Sequence, residues 1–165
     1  MQHLFAGRVE MMKSSELGEL LRLTERPDVI SFAGGLPDAG LFPVEQIAAV
    51  RERVIREQAK EALQYSTTEG YLPLREQIAE RMNRLQGTSV TAQQVLITNG
   101  SQQGLDLAGR LFLNEGDVVL CESPTYMGAL SALRVCRPKF VEVETDDEGM
   151  KLEHLDELLK THPVK

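Results

Sequence analysis

"VLITNGSQQGLDL", residues 95–107, decides how this chain is expected to fold. Residues 95–98 form a short apolar run with the β-branched character of a buried strand. Asn99, Gly100 and Ser101 interrupt the run with small polar side chains. Beyond them Leu105, Ala108, Leu111 and Phe112 fall at helical spacing. A buried strand that passes into a helix through Gly and Ser begins a strand–helix–strand unit, and the downstream residues keep the rhythm. "NEGD" (114–117) is a turn and "VVLCE" (118–122) a second buried strand. "SPTY" opens a helix that runs to about residue 134, and "KFVEVE" (139–144) alternates as a half-exposed strand. "TDDEG" is a turn, and residues 152–161 are a final helix. This alternation predicts an α/β layer with a mostly parallel sheet.

Upstream, residues 11–26 carry Leu17, Leu20, Leu21 and Leu23 near helical spacing, and Pro27 ends that helix. "VISFAGGLPDAG" is a short extended run followed by loop chemistry. Pro43 takes the first position of a helix over 44–62, whose apolar stripe is Ile47, Val50, Val54 and Ile55. "LQYSTTEGYLP" is a polar loop. Pro73 opens the next helix, with Leu74, Ile78, Met82 and Leu85 on one face and Gly87 as its stop. "LLKTHPVK" ends where a further strand is expected to begin, so the sequence reads as cut within a domain.

Composition narrows the function. The formal charge of −7 argues against nucleic acid as the main partner. Cys121 and Cys136 form neither a CxxC pair nor a zinc pattern and read as reduced, buried thiols of a cytoplasmic protein. No apolar core of a signal peptide and no bilayer-length segment is visible, so no membrane partner is expected. His3, His154 and His162 are scattered, and surface or locally bonded roles suit them better than metal ligation.

In open α/β sheets ligands sit beyond the carboxyl ends of the strands. Gly100, Ser101 and Gln102 lie at such an end, and a helix N-terminus there suits an anion such as a phosphate. The competing reading is that Ser101 merely caps the helix while Gly100 makes the turn. Tyr126, at the next strand's end, is either a stacking face for a planar ligand or a ring packed over the sheet edge. Gly34 and Gly35 offer main-chain N–H groups to a carboxylate, or simply form a loop needing positive φ. "QYSTTEGY" is by itself a polar loop, and Asp146, Asp147 and Glu148 read as a solvated turn.

Together "ISFAGGLPD", "LQYSTTEGYLPLREQIAERM", "VLITNGSQQGLDLAGRLF" and "ESPTYMGAL" resemble, in order and spacing, the N-terminal part of class I aminotransferases. The likeness is to the 2-aminoadipate-aminotransferase-like branch of the fold-type-I pyridoxal-phosphate enzymes and covers residues 11–165. It implies an α/β fold: the incomplete N-terminal part of the fold-type-I large domain, a three-layer α/β/α arrangement with a mostly parallel sheet, preceded by a helical segment. Residues 1–42 would form the N-terminal segment with the substrate-side loop, and 43–165 the first part of the cofactor-binding domain.

The resemblance further implies pyridoxal 5'-phosphate as cofactor, its phosphate held at Gly100, Ser101 and Gln102 and its ring stacked on Tyr126. Tyr65 would reach the phosphate of the other subunit's cofactor in a homodimer. Gly35 and Ser15 would stand beside the amino-acid substrate, and a 2-oxo acid would accept the amino group. Gly18 stands where the aminoadipate-type enzymes have an arginine, which leaves the substrate open. The catalytic lysine, the aspartate partner of the cofactor ring and the carboxylate-binding arginine belong to later parts of such enzymes. Lys165 has no matching context, so this stretch alone is expected to be inactive, with bare strand edges, uncovered apolar helix faces and no stable isolated monomer. The alternatives are the aminotransferase-like effector module of a transcription regulator and a pyridoxal-phosphate lyase of the same fold.

Overall fold

The computed structural model describes residues 4–7, 9, 28–30, 32 and 35–165. The expected helix over 11–26, with Ser15 and Gly18, lies outside the described residues, as does Gly34. The chain divides into two compact units, Gly34–Ile97 and Met1–Ala33 with Thr98–Lys165.

The first unit is built on two helices, α1 (Val44–Ala62) and α2 (Leu72–Gln86). Pro43 is the N-cap of α1 rather than its first helical residue. Helix α1 buries none of its residues, and Ile47, Val50 and Ile55 stand exposed, the uncovered apolar face that the sequence leads one to expect. Helix α2 has Pro73 in its first turn, where the missing N–H costs nothing, and closes on Gly87 in the left-handed region at φ 65°. Its buried face is not the expected leucine stripe. Leu74 and Leu85 are exposed, whereas Arg75 and Ala79, one turn apart, are buried. Small Ala79 and the aliphatic stem of Arg75 let α2 pack closely on the short 3₁₀ turn Ala92–Gln94.

Arg75 Nη1 donates to the Ala92 carbonyl at 3.1 Å, while its Nε is buried without a partner among the described residues. Asn83 ties the connection down: its Nδ2 donates to the Val90 carbonyl at 2.9 Å and its Oδ1 accepts from the Val90 N–H at 2.7 Å.

Residues 95–98 are not a paired strand. Val95 is extended (φ −107°, ψ 125°), but the segment has no ladder partner among the described residues. The Ile97 N–H instead donates to the Glu69 carbonyl at 3.0 Å, docking the segment on the turn over residues 67–70.

The second unit carries the strand–helix rhythm. Helix α3 (Ser101–Phe112) leads to β1 (Val118–Ser123), α4 (Met127–Leu133), β2 (Lys139–Asp146), β3 (Gly149–Met150) and α5 (Leu152–Thr161). β1 and β2 pair in parallel, Val118 opposite Lys139 through Ser123 opposite Glu144. Val164 makes a parallel bridge to Val118 on the other side of β1.

The two-residue strand β3 was not anticipated. It pairs antiparallel with the end of β2, because the turn between them closes with the Glu148 N–H on Asp146 Oδ1 at 2.9 Å. Val143 in β2 is fully buried, with Val118, Ala132 and Leu158 completing the buried apolar residues described in this unit. Helix α3 packs on α4 through Gly109, which is buried, not through Ala108. Leu111 and Phe112 are left exposed. Cys121 and Cys136 are free but half-buried rather than buried. No described helix is long and apolar enough to cross a membrane.

Candidate active site

The first turn of α3 is an exposed helix end in the second unit. Gly100 is its N-cap at φ 84°, a conformation that glycine adopts without steric cost. Ser101 is the first helical residue, so it does not cap the helix, and among the described residues no side chain does. The polar side chains around the turn brace the loop before it: Gln103 Oε1 accepts from the Asn99 N–H at 2.6 Å, and Thr98 Oγ1 donates to the Gly100 carbonyl at 3.1 Å. The first-turn N–H groups therefore face an exposed end of a twelve-residue helix with no side-chain acceptor, beside the Ser101 hydroxyl. That end has the partial positive charge and free donors that an anion needs.

Gln102 behaves differently from a simple ligand. Its Nε2 donates to the Gly128 carbonyl at 3.0 Å, 26 residues along the chain. The side chain is thereby committed to protein, and only the Gln102 main-chain N–H belongs to the first turn. The same bond brings the head of α4 to the head of α3. Tyr126, the extended N-cap of α4 (φ −69°, ψ 114°), is 61% exposed and so is brought close to the α3 turn while remaining open to solvent.

The carboxyl ends of β1 and β2 have the opposite character. An open depression there is lined by Ser123, Glu142, Glu144, Thr145 and His154. Ser123 Oγ donates to Glu142 Oε2 at 2.9 Å, and Lys151 Nζ reaches Glu144 Oε2 at 2.9 Å. The hydrogen bond and charge of Lys151, with a smaller contribution from His154, hold the Glu144 carboxyl below its usual range. His154 is locally bonded, its Nδ1 accepting from the Glu144 N–H at 3.1 Å. Among the described residues no cluster of three or more His, Cys, Asp or Glu could hold a metal ion.

In the other unit Gly35 is exposed, with φ 57° and open space where a side chain would sit. Tyr65 is 98% exposed, with its ring free of the unit that carries it. The turn that follows is well built: Thr67 Oγ1 donates to the Gly70 carbonyl at 3.1 Å, and Gly70 N–H donates to the Thr67 carbonyl at 3.0 Å.

Sequence reading missed Gln103, Gly128 and Arg75. A glutamine three residues after a helix cap is a known reach-back signal and could have revealed Gln103. The contacts of Gly128 and Arg75 are tertiary and leave no local pattern.

The chain belongs to the aminotransferase class I and II family, whose pattern it matches over residues 27–165. It is 50% identical over 155 residues to the 2-aminoadipate transaminase of Thermus thermophilus, covering 94% of this chain and 37% of that protein. The fold is that of the fold-type-I enzymes. The Pyrococcus horikoshii kynurenine aminotransferase, solved with PMP, matches at TM-score 0.90 and 43% identity, over 99% of this chain and 42% of that one. The Thermus thermophilus α-aminoadipate aminotransferase LysN, solved with N-(5'-phosphopyridoxyl)-L-leucine, matches at TM-score 0.86 and 44% identity, over 99% and 39%. The chain thus spans about two fifths of the length of these proteins.

Proposed function

We propose that the whole protein is a pyridoxal-phosphate-dependent aminotransferase that moves an amino group from an amino acid to a 2-oxo acid. The first turn of α3 carries this reading, because its free N–H groups and positive dipole end suit a phosphate. The Gly100, Ser101 and Gln102 main-chain N–H groups and the Ser101 hydroxyl hold the cofactor phosphate. Tyr126 covers the ring and excludes water from one face. Gly35 offers its N–H to the substrate carboxylate, and Ser15 contributes from the N-terminal segment. Bound pyridoxal phosphate supplies an electron sink for the substrate's α-carbon. The proton transfer is assigned to residues outside this stretch, which spans about two fifths of the length of its relatives.

Tyr65 lies free of its own unit, which supports its reaching the other subunit's phosphate in a homodimer. The unpaired cysteines fit a cytosolic protein. The regulator reading has weaker support, since the half-identical relative is a transaminase. The test is to load the intact protein with pyridoxal phosphate and assay 2-aminoadipate, aromatic and acidic donors against 2-oxoglutarate. Turnover that falls on Ser101→Ala with Tyr126→Ala is expected. Cofactor uptake unchanged in that double variant would overturn the site, and no amino transfer from any donor would overturn the activity.

A further inference from the structure

Gly128 and Gln102 meet around Tyr126 in a way that the proposed site does not yet use. A Cβ built on Gly128 would lie 2.5 Å from the Tyr126 hydroxyl oxygen and 2.6 Å from its Cε1. The tyrosine ring therefore occupies the space that any side chain at 128 would take. The carbonyl of this same glycine accepts the Gln102 amide at 3.0 Å, and Gln102 stands in the first turn of α3. Anion seat, glutamine, glycine and aromatic ring form one connected chain within one unit.

We propose that Gly128 is the rest on which the Tyr126 ring is positioned, and that Gln102 is a second positioning residue that fixes this rest to the phosphate turn. This deepens the pyridoxal-phosphate reading and depends on it for its functional meaning. An exposed aromatic ring with two free torsions loses conformational freedom when it stacks on a ligand. A ring already lodged on Gly128 has lost part of that freedom beforehand, so stacking costs less. The Gln102 bond keeps the rest in register with the helix end that grips the phosphate, so that both ends of one planar anionic ligand are met together. Both residues act through Tyr126 and touch neither cofactor nor substrate with their side chains.

The rest can be tested with and without cofactor. In the intact apoprotein labelled at glycine, ring current should move the Gly128 α-proton resonances upfield, and Tyr126→Leu should abolish the displacement. Gln102→Leu, which leaves the backbone composition of the rest intact, should reduce it. In the loaded protein, Gly128→Ala must push the ring by about 1 Å to regain ordinary contact of about 3.5 Å. The visible circular dichroism of bound pyridoxal phosphate should then weaken and cofactor affinity fall about tenfold, while affinity for inorganic phosphate stays within about twofold.

The decisive measurement is a double-mutant cycle. In a Tyr126→Ala background, Gly128→Ala and Gln102→Leu should change cofactor affinity no further. Equal losses in both backgrounds would overturn the positioning role, as would an unshifted Gly128 resonance in the apoprotein. An upfield Gly128 resonance in a protein that takes up no pyridoxal phosphate would overturn the cofactor reading, and the coupling with it. Because Gln102→Leu alters no glycine, it decides the matter even where Gly128→Ala does not fold.

Discussion

Replacing Gly70 by alanine should be among the most damaging single changes in the unit Gly34–Ile97. Gly70 sits at φ +99°, where an L side chain is strained by roughly 1–2 kcal/mol. The added Cβ would also lie 2.6 Å from Ile97 Cγ1 and 2.7 Å from Ile97 Cβ. Ile97 Cβ is bonded directly to the main chain, so a rotamer change cannot move it away. Relief requires the backbone of 95–98 or of the turn to move, an overpacking cost of about 1–3 kcal/mol. The sum is about 2–5 kcal/mol, a large share of the roughly 5–15 kcal/mol that holds a domain folded. The movement would also stretch the Ile97 N–H bond to the Glu69 carbonyl, now 3.0 Å, the contact that docks the segment leading into the α3 turn.

Gly116 provides the control. It has a similar φ of +89°, but nothing lies within 4 Å of a Cβ built there. Gly116→Ala should therefore show the backbone strain alone, about 1–2 kcal/mol. Urea unfolding of the intact protein reads both, as a shift of midpoint at unchanged slope. A loss for Gly70→Ala no larger than that for Gly116→Ala would refute the packing of the 67–70 turn on Ile97.

Ser101→Asp should split stability from binding. A carboxylate in the first turn of α3 stabilises the helix by about 0.3–1 kcal/mol. It also opposes a bound phosphate by about 3 kcal/mol for charges about 5 Å apart at an effective dielectric of about 20, a loss above about 100-fold. Thermal melting and phosphate titration would show the two signs; a phosphate affinity unchanged by the new carboxylate would refute the anion seat. Val143→Ala removes two methyl groups from a fully buried position and should cost about 2 kcal/mol by urea unfolding.

Lys151→Met tests the Glu144 pair through pH. The Glu144 carboxyl is held low by Lys151, so its contribution is present above the ordinary carboxylate range and is lost as pH falls through the depressed value. Lys151 is held high by Glu144, so its contribution is lost only as pH rises beyond the ordinary lysine range. The stability difference between wild type and Lys151→Met should form a plateau between those limits. A difference that does not diminish below the carboxylate range would refute the pairing.

How much of the fold and site was legible follows from the range of each interaction. Helix positions were readable from periodicity and from Pro73 and Gly87, because these act on their own turn of chain. β1 and β2 were readable because apolar or alternating runs match a ladder that the second unit itself supplies. Residues 95–98 show the limit. Their apolar character records a need for burial, but a strand is a property of a pair, and here the Ile97 donor goes to a turn. Buried faces were read less well than helix positions, since periodicity names the residues able to face a neighbour but not the neighbour. Gly109 instead of Ala108 meets Leu133, and Arg75 with Ala79 rather than Leu74 with Leu85 faces the 92–94 turn.

The site divides in the same way. Gly100, Ser101 and Tyr126 stood out as candidates because a glycine–serine turn into a helix and an aromatic at the head of the next helix are local sequence features. Gln102 stood out in the same stretch. Its local sequence does not show that its side-chain amide is held by a carbonyl 26 residues away. Gly128 gave no local signal, because its contribution is the space left by a missing side chain. That space matters only once the Tyr126 ring is seen to fill it.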